Sequence, residues 1–441
     1  MEKLFSEFNG ITALQWKEQI IKDLKGIDFD ALTWKTNNGF DVSPFYTSED
    51  LKENNVPLFS DANWDLAEYI EVKDEVSANQ KALNALKRGA SGLVFCIRKK
   101  INTSELIKGI SLEHIYSEFN ISNDALHLIE DLKEYYAHKN SFDGKIKCVI
   151  NIDPLYLYAF YGEWHKNEKT DFEVLKKLQH ISVNSTLYQE AGGSIVNELA
   201  FTLAHLNEYF NYLTNEKFAS CKLIHLSLSI GSDFFMEISK LRALRKLVSL
   251  LQKQYNTNYH VHIHCQTSAI NKSQTDAYNN MLRSTTEAMS AIIGGANSLV
   301  VIPYNSTFEE ATDFSSRIAL NQQHILRDES YLNKVADIAS GSYYIENLTE
   351  NIAEKAWEKF KEIESKGGLI KCLQSNFIQE TIENDFNNSL ANYKENKLVL
   401  VGVNKFQNTN ETTVIKNKKS ANLKGTEITP INPRNFSEYL N

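Results

Sequence analysis

Short apolar, β-prone runs recur along the chain with helix-period segments between them, and this rhythm limits the fold more than any other feature. The runs are Leu93–Ile97, Cys148–Ile152, Ile181–Val183, Leu223–Ser229, His260–Cys265 and Ser298–Ile302, with a weaker one at Ser342–Ile345. They stand roughly 35 to 55 residues apart. Short apolar runs bounded by turns suit strands buried on both faces, and strands alternating with helices build a parallel sheet. Seven or so repeats predict an eight-stranded (β/α)8 TIM-type barrel over residues 76–406. A doubly wound open sheet is the alternative. One helix opens at Ser194, after Gly192-Gly193, with Ile195, Leu199, Leu203, Leu206, Phe210 and Leu213 on one face. Another is expected from an N-cap at Thr349, through Ile352, Ala356 and Phe360, to Gly367-Gly368.

The two flanks read differently. Residues 1–75 hold a short helix pattern through Leu14, Trp16, Ile20, Ile21 and Leu24. Two β-prone stretches around Asn37-Asn38-Gly39 then predict a hairpin. Pro44 and Pro57 keep the chain extended beyond it. This segment cannot bury itself alone, so it is expected to wrap the main domain or a partner. Residues 407–441 are polar, with Lys416, Lys418 and Lys419 close together, and are expected to form a surface tail.

A net charge of −9 argues against a nucleic-acid partner. No run approaches the ~18 apolar residues of a membrane span, and Met1 to Gly10 lacks the apolar centre of a signal peptide. The five cysteines (Cys96, Cys148, Cys221, Cys265 and Cys372) form no CxxC pair and are expected to be reduced thiols. A cytoplasmic protein is the expectation.

His260, His262 and His264 stand at spacing two, so a strand projects them from one face. Three readings stay open. They could share a transition metal, as in a hydrolase barrel. His264 alone could face a pocket at the C-terminal end of its strand, where such barrels place active sites. All three could simply be packed. Ser194 opens a helix that could bind phosphate, although Gly192-Gly193-Ser194 matches no phosphate-loop fingerprint. Arg283, Glu287, Asp313 and Arg317 interrupt apolar helix patterns and are expected to form ion pairs that set geometry.

Beyond these local readings, many separate segments occur in a family-like order. They include Gln189-Glu190-Ala191-Gly192, Ile230-Gly231, Phe234-Phe235-Met236-Glu237-Ile238, His264-Cys265-Gln266-Thr267-Ser268, Arg317-Ile318-Ala319 and Gly341-Ser342-Tyr343-Tyr344. Together they resemble the barrel of adenosylcobalamin-dependent methylmalonyl-CoA mutases over about residues 180 to 406. The resemblance implies a barrel that threads coenzyme A along its axis. It also implies radical interconversion of (R)-methylmalonyl-CoA and succinyl-CoA, with cobalamin on a C-terminal domain marked D-x-H-x-x-G.

The departures from that pattern matter as much. None of the eleven histidines sits in a D-x-H-x-x-G context, so the cobalamin-binding domain is expected to be absent. Where active subunits read RPWTIRQYAGF, this chain keeps Trp64 and Tyr69 but has Ala62 and Ala67 in place of both arginines. Arginine forks are the natural clamp for phosphate and carboxylate. Where active subunits read SLHTNALDE, Val300, Ile302 and Ser306 replace His, Asn and Glu. Asn151-Ile152-Asp153-Pro154-Leu155 resembles the DPL segment of small subunits in heterodimeric mutases.

The resemblance therefore implies a small, non-catalytic subunit supporting a catalytic large subunit, with adenosylcobalamin held by that partner and none by this chain. His264 and Tyr69 are then vestigial family positions, and no substrate-binding residue is assigned. Two alternatives stand beside this reading. One is an active acyl-CoA mutase barrel served by a cobalamin protein in trans. The other is the metal-dependent hydrolase using His260, His262 and His264.

Overall fold

The computed structural model describes residues 7, 10–51, 59, 61–137, 148–178, 180–214, 223–408 and 425–440. Pro57, Cys221, Lys416, Lys418 and Lys419 lie outside them. The predicted hairpin is present: β1 (Trp34–Lys35) pairs antiparallel with β2 (Asp41–Val42). Gly39 turns between them at φ +75°, a conformation glycine adopts without strain.

Strand composition explains the barrel. In β8 (Leu223–Ile230), Ile224, Leu226, Leu228 and Ile230 face the helices and join the main apolar core, while His225, Ser227 and Ser229 point to the axis. The same alternation runs through β3 (Asp65–Glu71), β4 (Gly92–Ile97), β5 (Tyr116–Ile121), β6 (Cys148–Asn151), β7 (His180–Asn184), β9 (His260–Thr267) and β10 (Ser298–Val300). All eight are parallel, in the order β6-β5-β4-β3-β10-β9-β8-β7. This is the predicted barrel, nearly closed. Helices Glu75–Lys87, Ile195–Thr214, Phe234–Gln254, Asn279–Ile293 and Tyr343–Ser365 are among those that surround it.

Three expectations need correction. First, the barrel begins at Asp65, inside the stretch assigned to the amino-terminal segment: Ser298 stands opposite both Asp65 and His264, so β3 and β9 flank β10. Second, Ser342–Ile345 is no strand. It leads into the helix Tyr343–Ser365, and Thr349 is a fully buried position within that helix rather than its cap. The two missed strands, β3 and β5, were hidden because Glu68, Glu118 and Asn120 break their apolar runs. Third, the described part of the tail is packed rather than loose. Ile428, Ile431 and Phe436 are buried, and their N–H groups donate to the carbonyls of Gly162 (2.9 Å), Ala159 (2.8 Å) and Ile270 (2.8 Å).

No helix among the described residues is long and apolar enough to cross a membrane.

Candidate functional site

The axis of the barrel is where a ligand would lie, so the inward side chains define the candidate site. Ala67, Val94, Tyr116, Val149, Leu223 and Val300 form an inward apolar cluster. Beside it, β5, β6, β8, β9 and β10 bring together a polar cluster centred on Glu118. Tyr116 Oη donates to Glu118 Oε2 at 2.6 Å and lies 3.0 Å from His225 Nε2. His225 Nε2 and His264 Nδ1 stand 3.4 and 3.6 Å from the same carboxylate oxygen. Asn151 Nδ2 donates to Glu118 Oε1 at 2.9 Å. The Ser298 hydroxyl bridges His262 Nε2 (2.9 Å) and His264 Nδ1 (2.8 Å).

Electrostatics follow from this geometry. Burial opposes ionisation of Glu118, but His264, His225 and the Tyr116 hydroxyl outweigh it and hold the carboxyl well below its usual range. Burial, reinforced by Glu118, pushes the Tyr116 phenol well above its usual range. Burial also lowers His264, with Glu118 opposing, and drives His262 well below an ordinary imidazole. The arrangement is a buried carboxylate surrounded by hydrogen-bonding partners. It is a polar core rather than an open pocket.

Each predicted position can now be placed. His264 faces the axis, yet it is only 3% exposed and is engaged with Ser298. Tyr69 is on β3, two strands from Glu118 and at its register level through Val94, and is 43% exposed. His260 is exposed at the start of β9. Among the described residues no group of three His, Cys, Asp or Glu side chains is arranged to hold a metal ion. The donors opening the helix at Ser194 are already taken: Ser194 N and Asn197 Nδ2 both donate to Asp385 Oδ2 at 2.7 Å.

The expected ion pairs are partly present. Glu287 pairs with Lys272 at 2.6 Å, and Asp313 with Arg88 at 2.8 Å. Arg283 instead donates to Asn280 and the Val401 carbonyl, and Arg317 lies over the Phe314 ring. Sequence reading missed Glu118, Tyr116, Asn151 and His225. A lone carboxylate inside a β-prone stretch, and a histidine on the polar side of Leu223–Ile230, were the available signals.

A family profile described as methylmalonyl-CoA mutase matches residues 89–431. The chain belongs to the methylmalonyl-CoA mutase family. The methylmalonyl-CoA mutase small subunit of Porphyromonas gingivalis is 32% identical over 99% of this chain and 76% of its own length. The methylmalonyl-CoA mutase of Rhizobium meliloti is 28% identical over 91% of this chain and 65% of its own length. The human mitochondrial methylmalonyl-CoA mutase is 29% identical, again over 91% of this chain but 61% of its own. This chain thus spans less than two thirds of the latter two relatives. In this mutase barrel, the family segment around His264 occupies β9, and its imidazole is part of the packed interior.

Proposed function

We propose that this chain is the non-catalytic small subunit of a heterodimeric, adenosylcobalamin-dependent methylmalonyl-CoA mutase, and that it supports a catalytic large subunit in the cytoplasm. The observation that supports it most is the filled axis. Tyr116, Glu118, His225 and His264 are each at most 3% exposed and bond to one another where an acyl-CoA chain would have to pass. Threading a thioester there requires expelling a hydrogen-bonded cluster and leaving its donors unpaired, which is costly in a buried site.

Four histidines at or beside the axis already have protein partners. His180 donates to the Ile150 carbonyl, and His225, His262 and His264 are engaged with Tyr116, Glu118 and Ser298. The same packed interior weighs against an active barrel served by a cobalamin protein in trans.

The amino-terminal segment supports a partner role. Helix Ala13–Asp23 buries no residue against the barrel. Leu14, Trp16 and Ile21 are 66%, 45% and 47% exposed. Apolar side chains left bare on an amphipathic helix are the usual mark of an interface. Co-expression with a cognate large subunit should give a stable one-to-one complex on size exclusion. Separate elution of the two chains would contradict the assignment.

A further inference from the structure

Asp153-Pro154-Leu155 stands at the one place where the barrel sheet is not continuous. β6 and β7 are the two ends of the strand order, and among the described residues they exchange no main-chain hydrogen bond. Unpaired edge groups buried in a barrel need other partners. Two side chains supply them. His180 of β7 donates through Nε2 to the Ile150 carbonyl of β6 at 2.9 Å. Asp153, just past β6, accepts the Asn184 N–H of β7 through Oδ2 at 2.6 Å. Both bonds run from donors on β7 to acceptors on or just past β6.

The Asp153 end is braced. Its Oδ1 accepts from the Tyr156 N–H at 2.9 Å, capping the helix Pro154–Tyr161. It also accepts from His205 Nε2 at 2.9 Å and from the Tyr209 hydroxyl. Tyr188 Oη, 3.1 Å from His205 Nδ1, is then the donor to that nitrogen, which fixes one tautomer. All of these side chains are at most 3% exposed. Asp153 is thus tied to helix Ile195–Thr214 as well as to β7.

We propose that Asp153 and His180 form a side-chain clasp that holds this barrel shut at the β6–β7 seam. The clasp replaces the missing main-chain ladder and gives the Asp-Pro-Leu segment a task of its own, independent of whether the chain binds a large subunit. It makes the seam as resistant to opening as the paired strands, although two sheet edges meet there.

Hydrogen exchange on the full chain tests this. In the wild type, peptides covering residues 148–152 and 180–184 should be protected to within about tenfold of those covering β8 and β9. Asp153→Asn and His180→Phe should each speed exchange of the two seam peptides at least tenfold while β4, β8 and β9 change less than twofold. Asp171→Asn is the control. Asp171 is a buried carboxylate in the connection between β6 and β7; it accepts from the N–H groups of His165 (2.8 Å) and Lys166 (3.3 Å), and neither bond reaches a strand, so its loss should leave the seam peptides unchanged. Seam peptides that already exchange freely in the wild type would overturn the clasp even if neither variant folds. So would a uniform rise across all strands, or no rise at all.

Discussion

Replacing Lys240 by Met should lower the unfolding free energy by about 3–5 kcal/mol, the usual loss when one member of a buried ion pair is removed. Lys240 lies on helix Phe234–Gln254 with no exposed surface. Its Nζ is 2.9 Å from Glu198 Oε2 and 2.6 Å from Glu237 Oε2, the latter a charge contact rather than an aligned hydrogen bond. It also donates to the Ser229 carbonyl of β8 at 2.6 Å, tying the helix to the barrel wall. Methionine keeps the length of the side chain but leaves two carboxylates facing each other without a cation.

The loss should depend on pH. Burial already pushes Glu198 up to about 7, against the pull of Lys240. Without the lysine, the folded variant must hold an extra proton on Glu198. A carboxyl raised in the folded state favours folding at low pH and loses that advantage as pH rises through its folded value. The gap between wild type and Lys240→Met should therefore be larger at pH 8 than at pH 6 in urea unfolding. A loss below about 1 kcal/mol, or one independent of pH, would show that the pair is not the tie described here.

Glu118→Gln is the second large effect, at about 3 kcal/mol. The substitution is nearly isosteric, so packing is kept and only the acceptor chemistry changes. Glu118 receives bonds on both oxygens, from Tyr116 on one and Asn151 on the other, with two imidazoles beside the first. An amide can offer only one acceptor oxygen, so a buried donor is left facing an NH2 group. Because the carboxyl is held well below its usual range, its stabilisation is present above the unfolded value of about 4.3 and fades as pH falls below it. The wild-type advantage should be full at pH 7, begin to fade near pH 4 and keep falling below it in thermal unfolding. A variant as stable as the wild type at pH 7 would mean that the axial cluster is not anionic.

These effects also show what sequence reading could reach. The strands β8 and β9 were legible because Leu/Ile alternation survives beside His and Ser on the axial side. The helix Ile195–Thr214 was legible from its apolar stripe. β5 was not, because Tyr116-Ser117-Glu118 puts a charge where a buried strand is expected to be apolar, and only its distant partners His225 and His264 neutralise it. Likewise Asp153 reads locally as a helix cap before a proline, and its second task depends on Asn184, brought alongside by the fold. The histidines were visible as a face but not as a packed face, since Ser298 and Tyr116 come from other strands. Family motifs located the barrel well and its axial chemistry poorly, because Tyr116, Glu118 and His225 lie outside the segments that carry the resemblance.

The non-catalytic assignment is tested most directly by equilibrium dialysis with methylmalonyl-CoA, on this chain alone and on its complex with the large subunit. One acyl-CoA per heterodimer, with none on the isolated chain at concentrations that saturate the complex, is the predicted result. Two per heterodimer, or stoichiometric binding to this chain by itself, would contradict it.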